Sequence, residues 1–281
     1  MPEGPEVRSV GDELHQELVG SVLTGLTWTY STMRFLSQLD AQASRIEWPV
    51  RVESVRTKGK LIIMKWRETG ERAHLWHVFS HLGMTGFWSY IEEAHTHIEL
   101  HVQGKRSLYY CDARGFGEFE LVEDETQAGR RIASIAKSVL ADPEDLITLA
   151  EFRTALKKRS RYLLPTLVDP HLVISGVGNY IAAETLYAAR LSPDMRCNEL
   201  TEEEVVKLFT ALQDIMMRSY RDGGMSVRDY RQPSGKKGTF MNSLAVYGRK
   251  SLKCPAGYDV LFKKGRHGRT IWYVAELQGG I

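Results

Sequence analysis

The spacing of apolar residues changes character twice along the chain. Over residues 5 to about 19, Val7, Val10, Leu14 and Leu18 recur at helical spacing and Gly20 follows as a stop, which predicts a leading helix. Short runs rich in β-branched and aromatic residues come next, at 22–30, 50–55, 61–66, 73–79, 97–102, 108–111 and 116–122, bounded by Gly, Asp or Glu turns. They predict an antiparallel β-sandwich behind one helix. After about residue 123 the period lengthens. Thr148 with Glu151 and Thr201 with Glu204 have capping-box spacing ahead of apolar-periodic runs, and 163–168 and 179–189 are further helices. Between those two lies Ile174-Ser175-Gly176-Val177-Gly178-Asn179, with Asn179 as the expected N-cap and the amides behind it expected to face outward as a phosphate site. From residue 223 the pattern turns to loop and hairpin, with short strands expected at 245–247, 258–262 and 270–274 and a turn at 263–268.

The expected fold class is α+β with two domains: an N-terminal antiparallel β-sandwich with a leading helix, and a C-terminal helical domain ending in a β-hairpin. The expected boundaries are 1–123 for the sandwich, 124–146 for a linker, 147–222 for the helical domain, 223–243 for a loop region and 244–281 for the hairpin.

Composition narrows the class. A chain of 281 residues that is 43% hydrophobic and 26% charged builds real cores, which excludes disorder and fibrous repeats. There is no apolar run of membrane-spanning length and no leader-like start, so a soluble intracellular protein is expected, cytoplasmic or nuclear. Cys111, Cys197 and Cys254 are odd in number and far apart, which leaves neither a disulfide framework nor a cysteine-rich zinc site. The net charge of +2 conceals an asymmetry: residues 1–132 balance to −4, 133–217 to −3 and 218–281 to +9. In the last segment Tyr230, Phe240, Tyr247, Trp272 and Tyr273 are interleaved with the basic residues, the footprint of a polyanion-binding end rather than of a solvated basic tail. His95 and His97 are expected on one face of a strand, but no third ligand completes a metal site, and none is expected.

Four separated motifs carry a resemblance: Met1-Pro2-Glu3-Gly4-Pro5-Glu6; His81-Leu82-Gly83-Met84-Thr85-Gly86; Asp112-Ala113-Arg114-Gly115-Phe116-Gly117; and Gly176-Val177-Gly178-Asn179-Tyr180 leading into Glu184. In order and spacing the chain resembles the formamidopyrimidine-DNA glycosylase/endonuclease VIII family over essentially its whole length. The resemblance implies a helix-two-turn-helix domain behind the sandwich, a β-hairpin finger, and a bifunctional glycosylase and abasic-site lyase of base excision repair acting as a monomer on double-stranded DNA with oxidised bases or abasic sites. Family fingers usually hold zinc with four cysteines. Here Val246-Tyr247-Gly248-Arg249 is followed by Cys254 alone, with Gly257, Val274 and Leu277 at the other positions. The finger is thus similar to the zincless type of animal, plant and giant-virus endonuclease VIII-like enzymes, and no cofactor is expected. His267 adds at most a second ligand.

The chemistry suits the residues. A lysine with a pKa of about 10.4 is roughly 0.1% neutral at physiological pH, whereas an α-amino group near 7.7–8.0 is tens of per cent neutral. Pro2 supplies such an amine once Met1 is removed, and its resemblance role is the iminium-forming nucleophile. Glu3 beside it is the proton shuttle. The resemblance makes Lys60, rather than Lys58, the lysine for phosphate binding and β-elimination, and Arg269 the finger arginine of the phosphate clamp and δ-elimination. Asn179 completes that clamp, and His95, Arg114 and Tyr247 are expected DNA contacts. Met84, Arg114 and Phe116 match the triad that fills the gap left by an everted nucleotide, although by composition alone Met84 and Phe116 read as core. Met225, Arg228 and Tyr230 lie in a stretch that resembles the loop covering an everted 8-oxoguanine. The start and the finger resemble the endonuclease VIII side instead, so broad activity leaning to oxidised purines (8-oxoguanine, formamidopyrimidines) is expected, with hydantoins and oxidised pyrimidines as the other lesions, and an endonuclease VIII-type enzyme restricted to oxidised pyrimidines and hydantoins is the alternative. A non-catalytic damaged-DNA-binding relative is the alternative of a different class, and a helix-two-turn-helix RNA-binding protein a third.

Overall fold

The computed structural model describes residues 1–29, 36–226, 230–265 and 268–279. Arg228, Arg266 and His267 lie outside the described residues. The chain runs α1 (Gly4–Leu18), β1 (Val22–Trp28), α2 (Leu36–Ala43), β2 (Val50–Lys58), β3 (Leu61–Glu68), β4 (Leu75–His81), β5 (Gly86–Ser89), β6 (Thr96–Val102), β7 (Leu108–Asp112), β8 (Glu118–Val122) and α3 (Glu125–Ser134). Then come α4 (Leu149–Lys157), α5 (Leu163–Val168), α6 (Asn179–Ala189), α7 (Glu202–Arg221), β9 (Leu261–Lys264), β10 (Thr270–Tyr273) and α8 (Ala275–Gln278).

The first eight strands form one antiparallel sheet in the order β5-β7-β6-β1-β2-β3-β4-β8. Consecutive β4 and β5 sit seventh and first in that order yet are joined by residues 82–85 alone, so the sheet must fold over until its ends meet. They do meet: Trp88 of β5 donates its indole N–H to Ser80 Oγ of β4 at 3.2 Å and stacks 6.1 Å from Phe119 of β8. Trp66, Trp76, Trp88, Tyr110 and Phe119 fill the space between the halves, and α1 seals one side with Val7, Val10, Leu14 and Leu18. The second core is helical. α6 is buried nearly all round, and Phe152, Leu163, Leu167, Leu208, Leu212 and Met216 surround it. Both expected capping boxes are present: Thr148 Oγ1 accepts from Glu151 N and Thr201 Oγ1 from Glu204 N, each at 3.2 Å.

Several elements differ from the sequence reading. The stretch read as a linker opens with α3, whose Ala128 packs with Leu61, Ile63, Phe79 and Val122 on the sheet; α2, β5 and α8 have no counterpart in the sequence pattern, and the strand expected at 258–262 lies at 261–264. Residues 245–247 form no strand, because the Glu184 carboxylate takes the amides of Ala245, Val246 and Tyr247 at 2.8, 2.9 and 2.7 Å and leaves none for a ladder. The finger hairpin therefore consists of β9 and β10 only, with Thr270 opposite Lys264 and Tyr273 opposite Leu261. His95 and His97 do not share a strand face: His95 sits ahead of β6 in a left-handed turn (φ 63°), with a bulge between Thr96 and Ile98.

Candidate active site

The chain start lies between the two domains. Pro2 is buried beneath a half-exposed Met1, and Glu3 leads into α1. The Glu3 carboxylate crosses to the other domain and accepts from Gly178 N (2.7 Å), Tyr180 N (3.0 Å) and Ile181 N (3.2 Å). The amides expected to face outward for a phosphate are thus turned onto a carboxylate of the protein itself, and the N-cap of α6 is Gly178, with Asn179 as its first residue. The reason is steric: a Cβ on Gly178 would stand 2.2 Å from Glu3 Cδ, so only glycine lets the carboxylate reach the helix start. Gly4 N adds a bond to Gly176 O at 2.7 Å.

Burial raises the Glu3 carboxyl to about 7, with Lys60 opposing, the Glu6 charge adding and the Tyr180 and Ile181 amides opposing. A group half protonated near neutrality both gives and takes a proton. Glu6 is fully internal. Its carboxylate accepts from Glu3 N (2.8 Å), the Tyr180 hydroxyl (2.8 Å) and Met225 N (2.5 Å), and burial raises its pKa too. Burial lowers the Lys60 amine, an effect Glu3 offsets and the Arg269 charge reinforces, so these three side chains share one electrostatic field. Lys58, two residues away, is instead ion-paired to Asp145 at 2.7 Å.

The finger closes the third side. Asn179 donates from Nδ2 to Thr270 O at 3.0 Å, which ties the start of α6 to β10. Arg269 is exposed on the turn between β9 and β10. Half-buried Tyr247 stacks between Tyr180 (6.1 Å) and Trp272 (6.2 Å), its hydroxyl pushed up by burial and by Glu3. The structure therefore brings Pro2, Glu3, Lys60, Asn179, Tyr247 and Arg269 to one corner.

A second group lines the rim. Met84 and Phe116 are 42% and 55% exposed, against the core reading that composition favoured, and the Arg114 guanidinium lies 4.7 Å from the Phe116 ring centroid. Asp112, buried, holds their two loops together. It accepts from the Thr85 hydroxyl, from Arg114 N (3.2 Å) and from Gly117 N (2.7 Å), while its own amide donates to the carbonyl of exposed His95 (3.0 Å). Met225 and Tyr230 do not project towards a base. Both are 8% exposed, Met225 in the helical core and Tyr230 in the sheet core, and the Tyr230 hydroxyl donates to Glu6 O or Gly223 O, each at 3.2 Å. They anchor the ends of the loop, because an apolar or aromatic side chain gains more from a core than from an open cleft.

Glu6, Asp112 and Glu184 organise the site and were not singled out as site residues. The capping-box spacing of Glu3 and Glu6 was the available signal for the first. Among the described residues no group of three or more His, Cys, Asp or Glu side chains is placed to hold a metal. Cys254 is packed with Ala183, Val246, Val260 and Val274, flanked by Trp272 and Leu277.

Residues 1–119 match the formamidopyrimidine-DNA glycosylase N-terminal domain family and residues 141–231 its H2TH domain family. Formamidopyrimidine-DNA glycosylase of Listeria monocytogenes is 30% identical over 99% of this chain and all of its own length. That of Cronobacter sakazakii is 31% identical over 97% and 98%. Among solved structures, the MutM (Fpg) protein of Thermus thermophilus superposes with a TM-score of 0.84 at 31% identity, covering both chains entirely. Lactococcus lactis Fpg in complex with DNA containing an abasic site gives 0.84 at 25% identity over 99% of each chain.

Proposed function

The chain belongs to the formamidopyrimidine-DNA glycosylase/endonuclease VIII family and is a DNA glycosylase of base excision repair, and from that premise we propose a bifunctional enzyme that excises oxidised bases and then cuts the strand. With Met1 removed, the Pro2 nitrogen becomes a secondary amine whose lone pair attacks C1′ of an everted nucleotide. The bond from C1′ to the base breaks and the base leaves with a proton. Protonation of the ring oxygen by Glu3 opens the sugar and yields an iminium on Pro2. Loss of a C2′ proton expels the 3′ phosphate, a second elimination expels the 5′ phosphate, and water releases the remaining fragment. Lys60 and Arg269 take the phosphate and elimination roles, with Asn179 in the clamp. Met84, Arg114 and Phe116 enter the vacated stack, with His95 and Tyr247 as further DNA contacts.

The observation that carries this reading is the Glu3 carboxyl, buried at the nucleophile and held near 7. The partner is double-stranded DNA with oxidised bases or abasic sites, the substrate class leans to 8-oxoguanine and formamidopyrimidines, and the finger works without zinc, its interior apolar around Cys254. Borohydride trapping on abasic-site duplex tests the chemistry: a covalent adduct that disappears with Pro2→Gly supports it, and absence of any adduct from Pro2-started protein sinks it. Excision of thymine glycol with 8-oxoguanine and formamidopyrimidine left intact would reverse the lesion preference. A second reading follows from Met1. While it remains, the proline nitrogen is an amide without a free lone pair, and that form only binds damaged DNA; an intact mass distinguishes the two.

A further inference from the structure

We propose that Lys58, through its ion pair with Asp145, is a positioning residue that sets the Lys60 amine against Glu3; the inference rests on the lyase reading above. The β2–β3 hairpin turns at Lys58-Gly59-Lys60, with Lys58 paired opposite Leu61. Two contacts press this tip onto the helical domain. Lys58 Nζ meets Asp145 Oδ1 at 2.7 Å with the side chains only 8% and 14% exposed. Gly59, at φ 60°, lies so close that a Cβ would stand 2.8 Å from Ser175 Cβ and 3.2 Å from Gly176 N.

Both receiving surfaces are fixed. Asp145 ends the turn Pro143–Asp145, where its carbonyl accepts from Ser138 N (3.0 Å) and its amide donates to Asp142 O (2.9 Å). Ser175 N donates to Lys137 O (3.0 Å), and Gly176 O accepts from Gly4 N beside Glu3 (2.7 Å). The tip is thus docked against the same loop that receives the chain start, and Lys60 is its next residue. Two neighbouring ion pairs, Arg8–Asp142 and Arg56–Glu144, have side chains 24%/28% and 29%/62% exposed, so solvent and salt weaken them. Lys58–Asp145 is the shielded one. A buried ion pair adds little stability over an apolar pair of similar size, but its geometry fixes a direction that packing alone does not. Being buried and paired, the Lys58 amine is not presented to DNA.

The test uses the full-length, Pro2-started protein on abasic-site duplex, comparing single-turnover cleavage, DNA affinity and thermal midpoint. Lys58→Met is expected to slow cleavage about tenfold to a hundredfold, the scale of a misplaced catalytic group, with Kd within about twofold. Lys58→Arg, which keeps the charge, is expected to recover most of the rate. Lys58→Met with Asp145→Leu is expected to recover the midpoint and not the rate, and it carries the comparison should the single variant not fold. Unchanged cleavage in Lys58→Met overturns the proposal. So does a double variant whose rate returns with its midpoint, since the pair is then only structural, or a rate loss that saturating DNA removes. If the unaltered protein neither cleaves nor traps, the lyase reading fails and takes this inference with it; cleavage by the unaltered protein that Lys58→Met leaves intact fails this inference alone.

Discussion

Gly178→Ala is the sharpest perturbation of the site, because it adds one methyl group and nothing else. At φ −127° the backbone is ordinary extended chain that alanine adopts freely, so no conformational penalty is due. The whole effect is the new Cβ, 2.2 Å from Glu3 Cδ where ordinary contact begins at 3.4 Å. The carboxylate must retreat by about an ångström and surrender one or two of its three amide bonds. Each is worth about 1.5–3 kcal/mol to a charged acceptor, and since Glu3 is near half protonation at neutral pH the expected loss is about 2 kcal/mol. At roughly 2–4 °C per kcal/mol, the midpoint drops by about 4–8 °C. A displacement of that size at a proton-transfer group costs about a hundredfold in rate. Single-turnover excision, measured beside DNA affinity and thermal unfolding, should show a large rate loss, a modest midpoint loss and near-normal binding. A variant within twofold of the unaltered rate and with an unchanged midpoint would refute the Glu3 bridge.

The raised Glu3 carboxyl also fixes a pH dependence. Its folded value of about 7 lies above the usual 4.5, so below 4.5 both states are protonated and nothing is lost, while stability falls as pH rises from 4.5 through 7. Glu3→Gln should remove that decline in thermal unfolding and abolish excision; an identical decline in the variant would mean the group is not buried as described. The basic C-terminal end predicts binding that weakens steeply with salt, and Arg269→Ala should reduce the slope of log K against log salt by about 1; equal slopes would remove Arg269 from the phosphate clamp. Glu184→Gln weakens the hold on the amides of Ala245, Val246 and Tyr247, so limited proteolysis should release the finger faster, whereas chelator treatment should leave unfolding and activity unchanged; an activity lost to chelator and restored by zinc would overturn the zincless finger.

The leading helix, most strands and both capping boxes were legible because each depends on residues within one element. What escaped depends on partners far along the chain. The turn before α6 carries the sequence of an anion site, and nothing local says that Glu3, 175 residues earlier, occupies its amides. The run 245–247 has the alternation of a strand, but Glu184, about 60 residues earlier, takes its amides. Met84 and Phe116 read as core from their chemistry, and only the Asp112 bridge between two loops reveals why they stand exposed. Met225 and Tyr230 went the other way, since a loop sequence does not state which core its ends enter.

Those two anchors have a mechanical consequence. Met225 is plugged into the helical core and Tyr230, five residues later in the sequence, into the sheet core, so the covalent chain itself limits how far these two points can part. Five links of chain reach at most roughly 18 Å when drawn straight. That length is a ceiling on how far the two anchors can separate while both plugs stay seated.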